Sequence, residues 1–172
     1  KIRTEPSYFN RFLEEITINV TEMFRDPEFY RNLRRDILPK LGTYPFIRIW
    51  IAGCSTGEEA YSIAILLKEL NLLHKSLIYA TDINSAVLDS ASQAIIPLNK
   101  IKLYTENYIA AGGRENFSNY YTANYSLGKL NDELKSKSGF LITHIGRIRR
   151  KDNRPFKTNN IINFLDRIST AL

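Results

Sequence analysis

Ile47-Arg48-Ile49-Trp50-Ile51-Ala52-Gly53-Cys54-Ser55-Thr56-Gly57-Glu58-Glu59-Ala60-Tyr61-Ser62 is the stretch that decides the fold. Its first six residues are mostly β-branched or aromatic, the composition of a strand. The glycine-bounded run Gly53 to Gly57 turns that strand into a helix expected from Glu58 to Leu72. A second strand follows at Leu77 to Thr81, then a helix that Asn84 or Ser85 caps and that runs to Ala94. Strands alternating with helices predict parallel β-α-β units with right-handed crossovers, so the fold class is α/β with a mostly parallel sheet.

Upstream, residues 5 to 15 read as a helix with Phe9, Phe12 and Leu13 on one side, and Ile16 to Thr21 as a connecting segment. A stronger helix begins at Asp26, an N-cap residue type, with Pro27 at the first helical position. Phe29, Leu33 and Ile37 recur at four-residue spacing until Pro39 and Gly42, which places the end near Leu38. Downstream, an amphipathic helix is expected over Asn99 to Ala110, stopped by Gly112-Gly113. Residues 114 to 137 are aromatic and polar, and Phe117, Tyr120, Tyr121 and Tyr125 are expected to cover one edge of the sheet. After Ser138 the pattern suggests a strand at Phe140 to Ile145, a basic loop at Arg147 to Lys157 and a short helix at Ile161 to Leu172. Residues 1–42 thus form a helical segment leading into an α/β domain of residues 43–172, with 138–172 as its tail.

The chain has 172 residues, 44% hydrophobic and 24% charged, the balance of one globular domain. A chain this long hides roughly 70% of its unfolded surface, so it needs no disulfide, and the single Cys54 cannot form an internal one. No run approaches the roughly 20 apolar residues of a membrane span, and the start lacks the apolar core of a signal peptide. A cytoplasmic protein with no membrane insertion is the expectation. The net charge of +6 favours an anionic partner. It concentrates in Arg147, Arg149, Arg150, Lys151 and Arg154, with a smaller group, Arg31, Arg34 and Arg35, on one helix face. Both groups read as solvated surface, with nucleic acid or an acidic protein surface as the candidate anionic partner and a nucleic-acid-binding protein as the function that net charge alone would suggest. No nucleic-acid recognition motif is present, so no nucleic acid is expected as partner.

In an open α/β sheet, ligands bind beyond the carboxyl ends of the strands. The spacing at Gly53 is not G-x-G-x-x-G, there is no P-loop lysine, and Glu58 and Glu59 stand at the start of the helix. A pyrophosphate would be repelled there. A cofactor carrying an ammonium and a sulfonium, such as S-adenosylmethionine, would be attracted; alternatively the two acids only complement the helix dipole. Asp82 ends the next strand where such folds place a carboxylate on ribose hydroxyls, or else it caps the helix that follows. His74 and His144 are isolated and read as structural, and Cys54 as a small packing residue.

A third block, Thr17-Ile18-Asn19-Val20-Thr21-Glu22-Met23-Phe24-Arg25-Asp26, precedes the first strong helix. With Ser55-Thr56-Gly57-Glu58-Glu59-Ala60-Tyr61-Ser62 and Ala80-Thr81-Asp82-Ile83, it resembles the CheR family of chemotaxis-receptor methyltransferases, whose pattern runs T-x-N-x-T-x-F-F-R, S-T-G-E-E-x-Y-S, A-T/S-D-I. The resemblance implies a Rossmann-like S-adenosylmethionine methyltransferase fold and O-methylation of glutamates on chemoreceptor cytoplasmic helices, with S-adenosylhomocysteine as product. It implies that Asn19, Thr21 and Arg25 line the cofactor and acceptor pocket, that Gly53 belongs to the cofactor turn, that Glu59 binds the cofactor, and that Asp82 holds its ribose. Arg25 would orient the acceptor carboxylate by paired hydrogen bonds, unless it serves an ordinary ion pair with Asp26 or Glu22. Such a transfer needs alignment of donor and acceptor rather than a metal.

The chain departs from the family at Met23, where Phe is frequent, and after Ser138, where the family's N-L and C-R-N-V strands have only a faint echo in Asn160-Ile161-Ile162-Asn163-Phe164. The sheet is therefore expected to be incomplete at its C-terminal strands, its open edge covered by the tail or by a second copy in a homodimer, and transfer to be impaired. The alternative function is a non-catalytic module that binds the cofactor or docks on a receptor or partner.

Overall fold

The computed structural model describes residues 21–135 and 140–144, and the backbone of 161–163. The expected helix at 5–15, the basic loop at 147–157 and Asn19 lie outside the described residues. The first described rod is Pro27–Asn32 (α1), a π-helical turn at Leu33–Ile37 and Leu38–Leu41 (α2). Strand β1 spans Ile47–Ala52, helix α3 Glu58–Glu69, strand β2 Ser76–Asp82 and helix α4 Ser85–Gln93. Then come β3 (Ile95–Pro97), α5 (Ile101–Ala110), β4 (Tyr121–Asn124), β5 (Leu127–Leu130), β6 (Phe140–His144) and β7 (Ile161–Asn163).

The main sheet has the order β6-β2-β1-β7, and each pairing is parallel, as in a Rossmann-like fold. Side chains alternate across β1: Ile47, Ile49 and Ile51 are buried while Arg48 is exposed, the period of two that a pleated strand imposes. Helix α3 is buried almost all round, from Ala60 to Leu67, because it lies within the core cluster that joins the sheet to the rod and α5. Helix α4 packs on β2 and β6. Among the described residues no helix is long and apolar enough to cross a membrane.

The structure corrects several local expectations. Asp26 does not cap α1 with its side chain; its backbone is left-handed (φ 56), and its carbonyl accepts the Phe29 N–H instead. The rod continues past Pro39 to Leu41, since proline is tolerated in the opening turn of α2. The π-turn, in which the Leu38 N–H reaches Leu33 O, rotates the buried stripe onto Tyr30, Leu33, Arg34 and Leu38 and leaves Ile37 41% exposed. The segment from 161 begins as a strand rather than a helix: β-branched Ile161-Ile162 pairs with the open side of β1. The tail therefore supplies both outer strands, β6 and β7, of the described sheet.

Residues 114–135 do not cover a sheet edge. They contribute β4 and β5 to a separate antiparallel sheet of order β3-β5-β4. Phe117 and Tyr120 enter the core, whereas Tyr125 sits at the hairpin turn, 99% exposed. The group Arg31, Arg34 and Arg35 also divides. Arg34 is buried against the Glu69 carboxylate, while Arg31 and Arg35 are exposed.

Candidate functional site

The turn after β1 is fastened to the end of β2 by backbone groups. The N–H groups of Gly53 and Cys54 both donate to Thr81 O, at 2.8 and 2.9 Å. One step further, Ser55 N–H donates to Asp82 Oδ2 at 2.8 Å, and Asn84 N–H donates to Asp82 Oδ1 at 2.9 Å. Asp82 thus clamps the turn and the start of α4, though it is not the helix cap: Asn84 Oδ1 accepts Ala86 N–H at 3.0 Å. A carboxylate has about four acceptor positions, and these two bonds leave others for a ligand.

Two glycines in this turn are conformationally required. Gly57 has φ 97 at the N-cap of α3, and a Cβ there would stand 3.0 Å from the Tyr61 ring and 3.1 Å from Ala91 Cβ. Gly53 has φ 78 and faces open space, with nothing within 4 Å of a Cβ position. Backbone can therefore meet a ligand closely at Gly53.

The upstream block reaches the same turn through α3. Phe24 N–H donates to Ser62 Oγ at 3.0 Å, and Ser62 Oγ donates to Glu58 O at 2.7 Å. Asn107 Nδ2 donates to Met23 O at 3.1 Å, and the Phe24 ring packs edge-on against Tyr30 and Tyr108. These contacts hold Thr21 half-buried and Arg25 exposed next to the first turns of α3. Thr21 and Arg25 thus flank the Phe24 link to α3, Glu59 stands in the first turn of α3, and Gly53 and Asp82 meet where the turn after β1 is fastened to the end of β2. Ser62, Asn84 and Thr81, which fix that geometry, were not read from the sequence as site-forming, although Asn84 was read as a cap.

The two acids that open α3 differ. Glu58 is buried and accepts the Thr56 hydroxyl at 2.6 Å, while Glu59 is half-buried. Cys54 is buried, and burial together with the carboxylates of Asp82, Glu59 and Glu58 pushes its thiol up to about 12. Iodoacetamide at pH 8 is expected to leave Cys54 unmodified in the native protein and to alkylate it fully in denaturant, because the thiolate is the nucleophile. Rapid native alkylation would contradict the burial and the negative surroundings of the turn.

A cavity of about 530 Å³ opens between α4 and β6, lined by Ser85, Asp89, Ser92, Leu88, Thr143 and His144. His144 is opposite Asp82 in strand register, and its Nε2 lies 3.1 Å from Ile83 O. The histidine is structural in that contact and also borders the cavity, a placement its isolation in the sequence did not signal.

Residues 19–140 match the sequence model of the CheR methyltransferase, SAM binding domain. Residues 121–172 match that of the YopA central domain, less than a third of the chain. Over 140 residues the chain is 46% identical to the methyltransferase-type protein Cher3 of Pseudomonas putida, covering 81% of this chain and 51% of that protein. It is 40% identical over 99 residues to the chemotaxis protein methyltransferase of Borreliella burgdorferi (52% and 35% covered). It is 38% identical over 100 residues to chemotaxis protein methyltransferase 2 of Pseudomonas aeruginosa (57% and 36% covered). The chain thus spans about half the length of these relatives or less.

Proposed function

The chain belongs to the CheR methyltransferase family, and from that premise we propose that it holds S-adenosylmethionine for O-methylation of glutamate side chains on chemoreceptor cytoplasmic helices. The observation that carries the reading is the Asp82 clamp: one carboxylate joins the cofactor turn to the end of β2 with acceptor positions to spare. The residues present fit the group. Gly53 offers open backbone, the start of α3 is acidic where a phosphate would be repelled, and Asp82 keeps acceptor positions that would suit ribose hydroxyls.

In this reading Asp82 accepts the ribose hydroxyls, Glu59 the ammonium of the methionine moiety, and Asn19 and Thr21 line the pocket. Gly53 lets the backbone approach. When bound, S-adenosylmethionine supplies a methyl group on a sulfonium. A glutamate acceptor is already an anion at neutral pH, so no strong base is required. Arg25 orients that carboxylate for attack, and alignment of the reacting atoms supplies most of the acceleration. The chain's tail differs from the family pattern, and we take acceptor handling to be weakened, with a correspondingly small signal.

Transfer of tritiated methyl from S-adenosylmethionine to receptor membranes tests the proposal. The expected result is a low level of label that base releases as methanol and that Arg25→Ala abolishes. Cofactor binding with no such label would favour the docking-module reading. Label that survives base would place the methyl on something other than a carboxylate.

A further inference from the structure

Glu58 is a buried acid at the start of α3, next to the cofactor turn. The residue is 6% exposed, its Oε2 takes the Thr56 hydroxyl at 2.6 Å, and Ser62 and Phe24 pack its backbone into the core. No role in contacting the cofactor falls to it in the reading above, which uses Glu59. A second feature of the same turn points to a ligand: Ser55 is 8% exposed, and its hydroxyl has no hydrogen-bond partner among the described residues, although its N–H is already given to Asp82. A buried hydroxyl with nothing to bond is costly unless a ligand completes it.

We propose that Glu58 is a charge-selectivity residue, whose buried carboxylate makes this site discriminate the sulfonium donor S-adenosylmethionine from the thioether product S-adenosylhomocysteine. The inference rests on the cofactor reading and deepens it. Donor and product share ribose, ammonium and carboxylate, and differ by one methyl group and one positive charge. Contacts to the shared groups therefore cancel in the ratio of the two affinities, and a fixed negative charge near the turn does not. Its field acts through protein rather than water, where Coulomb interactions are weakly screened. The Cys54 thiol lies inside the same turn, and burial first, then the carboxylates of Asp82, Glu59 and Glu58, raise it. The buried Tyr104 hydroxyl is likewise raised by burial and then by Glu58 and Glu22.

Calorimetric titration of the parent, Glu58→Gln and Glu58→Asp with each of the two ligands reads the effect. Glu58→Gln keeps an acceptor for Thr56 but removes the charge, and is expected to lower the donor-to-product affinity ratio about three- to tenfold. Glu58→Asp keeps the charge and should hold the ratio near the parent's. An equal loss for both ligands in Glu58→Gln would show a merely structural residue and overturn the inference. Failure of the parent to bind either ligand would instead overturn the cofactor reading and the inference with it. If Glu58→Gln does not fold, the parent decides: its donor-to-product ratio should stay nearly constant between about 0.05 and 0.5 M salt, since ions do not reach a buried charge, and a ratio that collapses with salt would assign the discrimination to exposed charges and overturn the inference.

Discussion

Replacing Glu69 with leucine is expected to lower stability by about 3 to 5 kcal/mol, a fall in melting temperature on the order of 10 °C. Glu69 ends α3 with its side chain 3% exposed, paired with the Arg34 guanidinium, itself 8% exposed. It also accepts the hydroxyls of Tyr108 and Tyr120, the latter at 2.8 Å, and Tyr108 in turn accepts the Glu115 N–H at 3.0 Å. One carboxylate thus joins the rod, α3, α5 and the segment leading to β4. Leucine would leave a buried guanidinium and two buried hydroxyls without an acceptor, and that penalty exceeds the apolar gain. The pH dependence gives a second reading of the same group. Burial raises the Glu69 carboxyl, but hydrogen bonds from Tyr108, Tyr120 and Arg34 more than offset it and hold it below the ordinary value. Its contribution is complete above the unfolded pKa of about 4.3 and is lost as pH falls through the lower folded value. Glu69→Gln should remove that part of the acid destabilisation, so melting curves of parent and variant should converge below about pH 4. Parallel curves across that window would mean that Glu69 is not the charge that matters.

Asp82→Ala is expected to weaken S-adenosylhomocysteine binding at least a hundredfold. The substitution removes the acceptor of Ser55 N–H and Asn84 N–H, so it releases the cofactor turn from β2, and it also removes the proposed ribose acceptor. Each charge-assisted hydrogen bond contributes about 1.5 to 3 kcal/mol, and a factor of ten requires about 1.4 kcal/mol. Asp82→Asn keeps an oxygen for one of the two N–H groups and should fall between parent and alanine variant. A folded Asp82→Ala protein with parental affinity would remove Asp82 from the site.

The β1-turn-α3 unit and the Asp82 strand end were legible because their signals are local. A β-rich run, a glycine turn and an acid two residues before a helix cap lie within 40 residues of one another. The Glu69 cluster was not legible. Arg34, Glu69, Tyr108 and Tyr120 are brought together only by tertiary packing, and Arg34 looked like one member of a solvated basic face. The π-turn hid the same relation, since it shifts the buried stripe from Ile37 to Leu38. The aromatic run from Phe117 reads in the sequence as cover for a sheet edge, and its hairpin is not legible because it depends on pairing with β3, a three-residue strand too short to announce itself. Likewise β7 looked helical because its strand character is realised against β1, more than 100 residues earlier.

Calorimetric titration of the parent chain with S-adenosylhomocysteine bears most directly on the claim that the three sequence blocks build a cofactor site. Saturable binding at one site per chain is predicted, with a melting temperature that rises with ligand concentration, as binding to the native state alone requires. No heat and no shift in melting temperature, from a folded chain with millimolar ligand, would contradict the account.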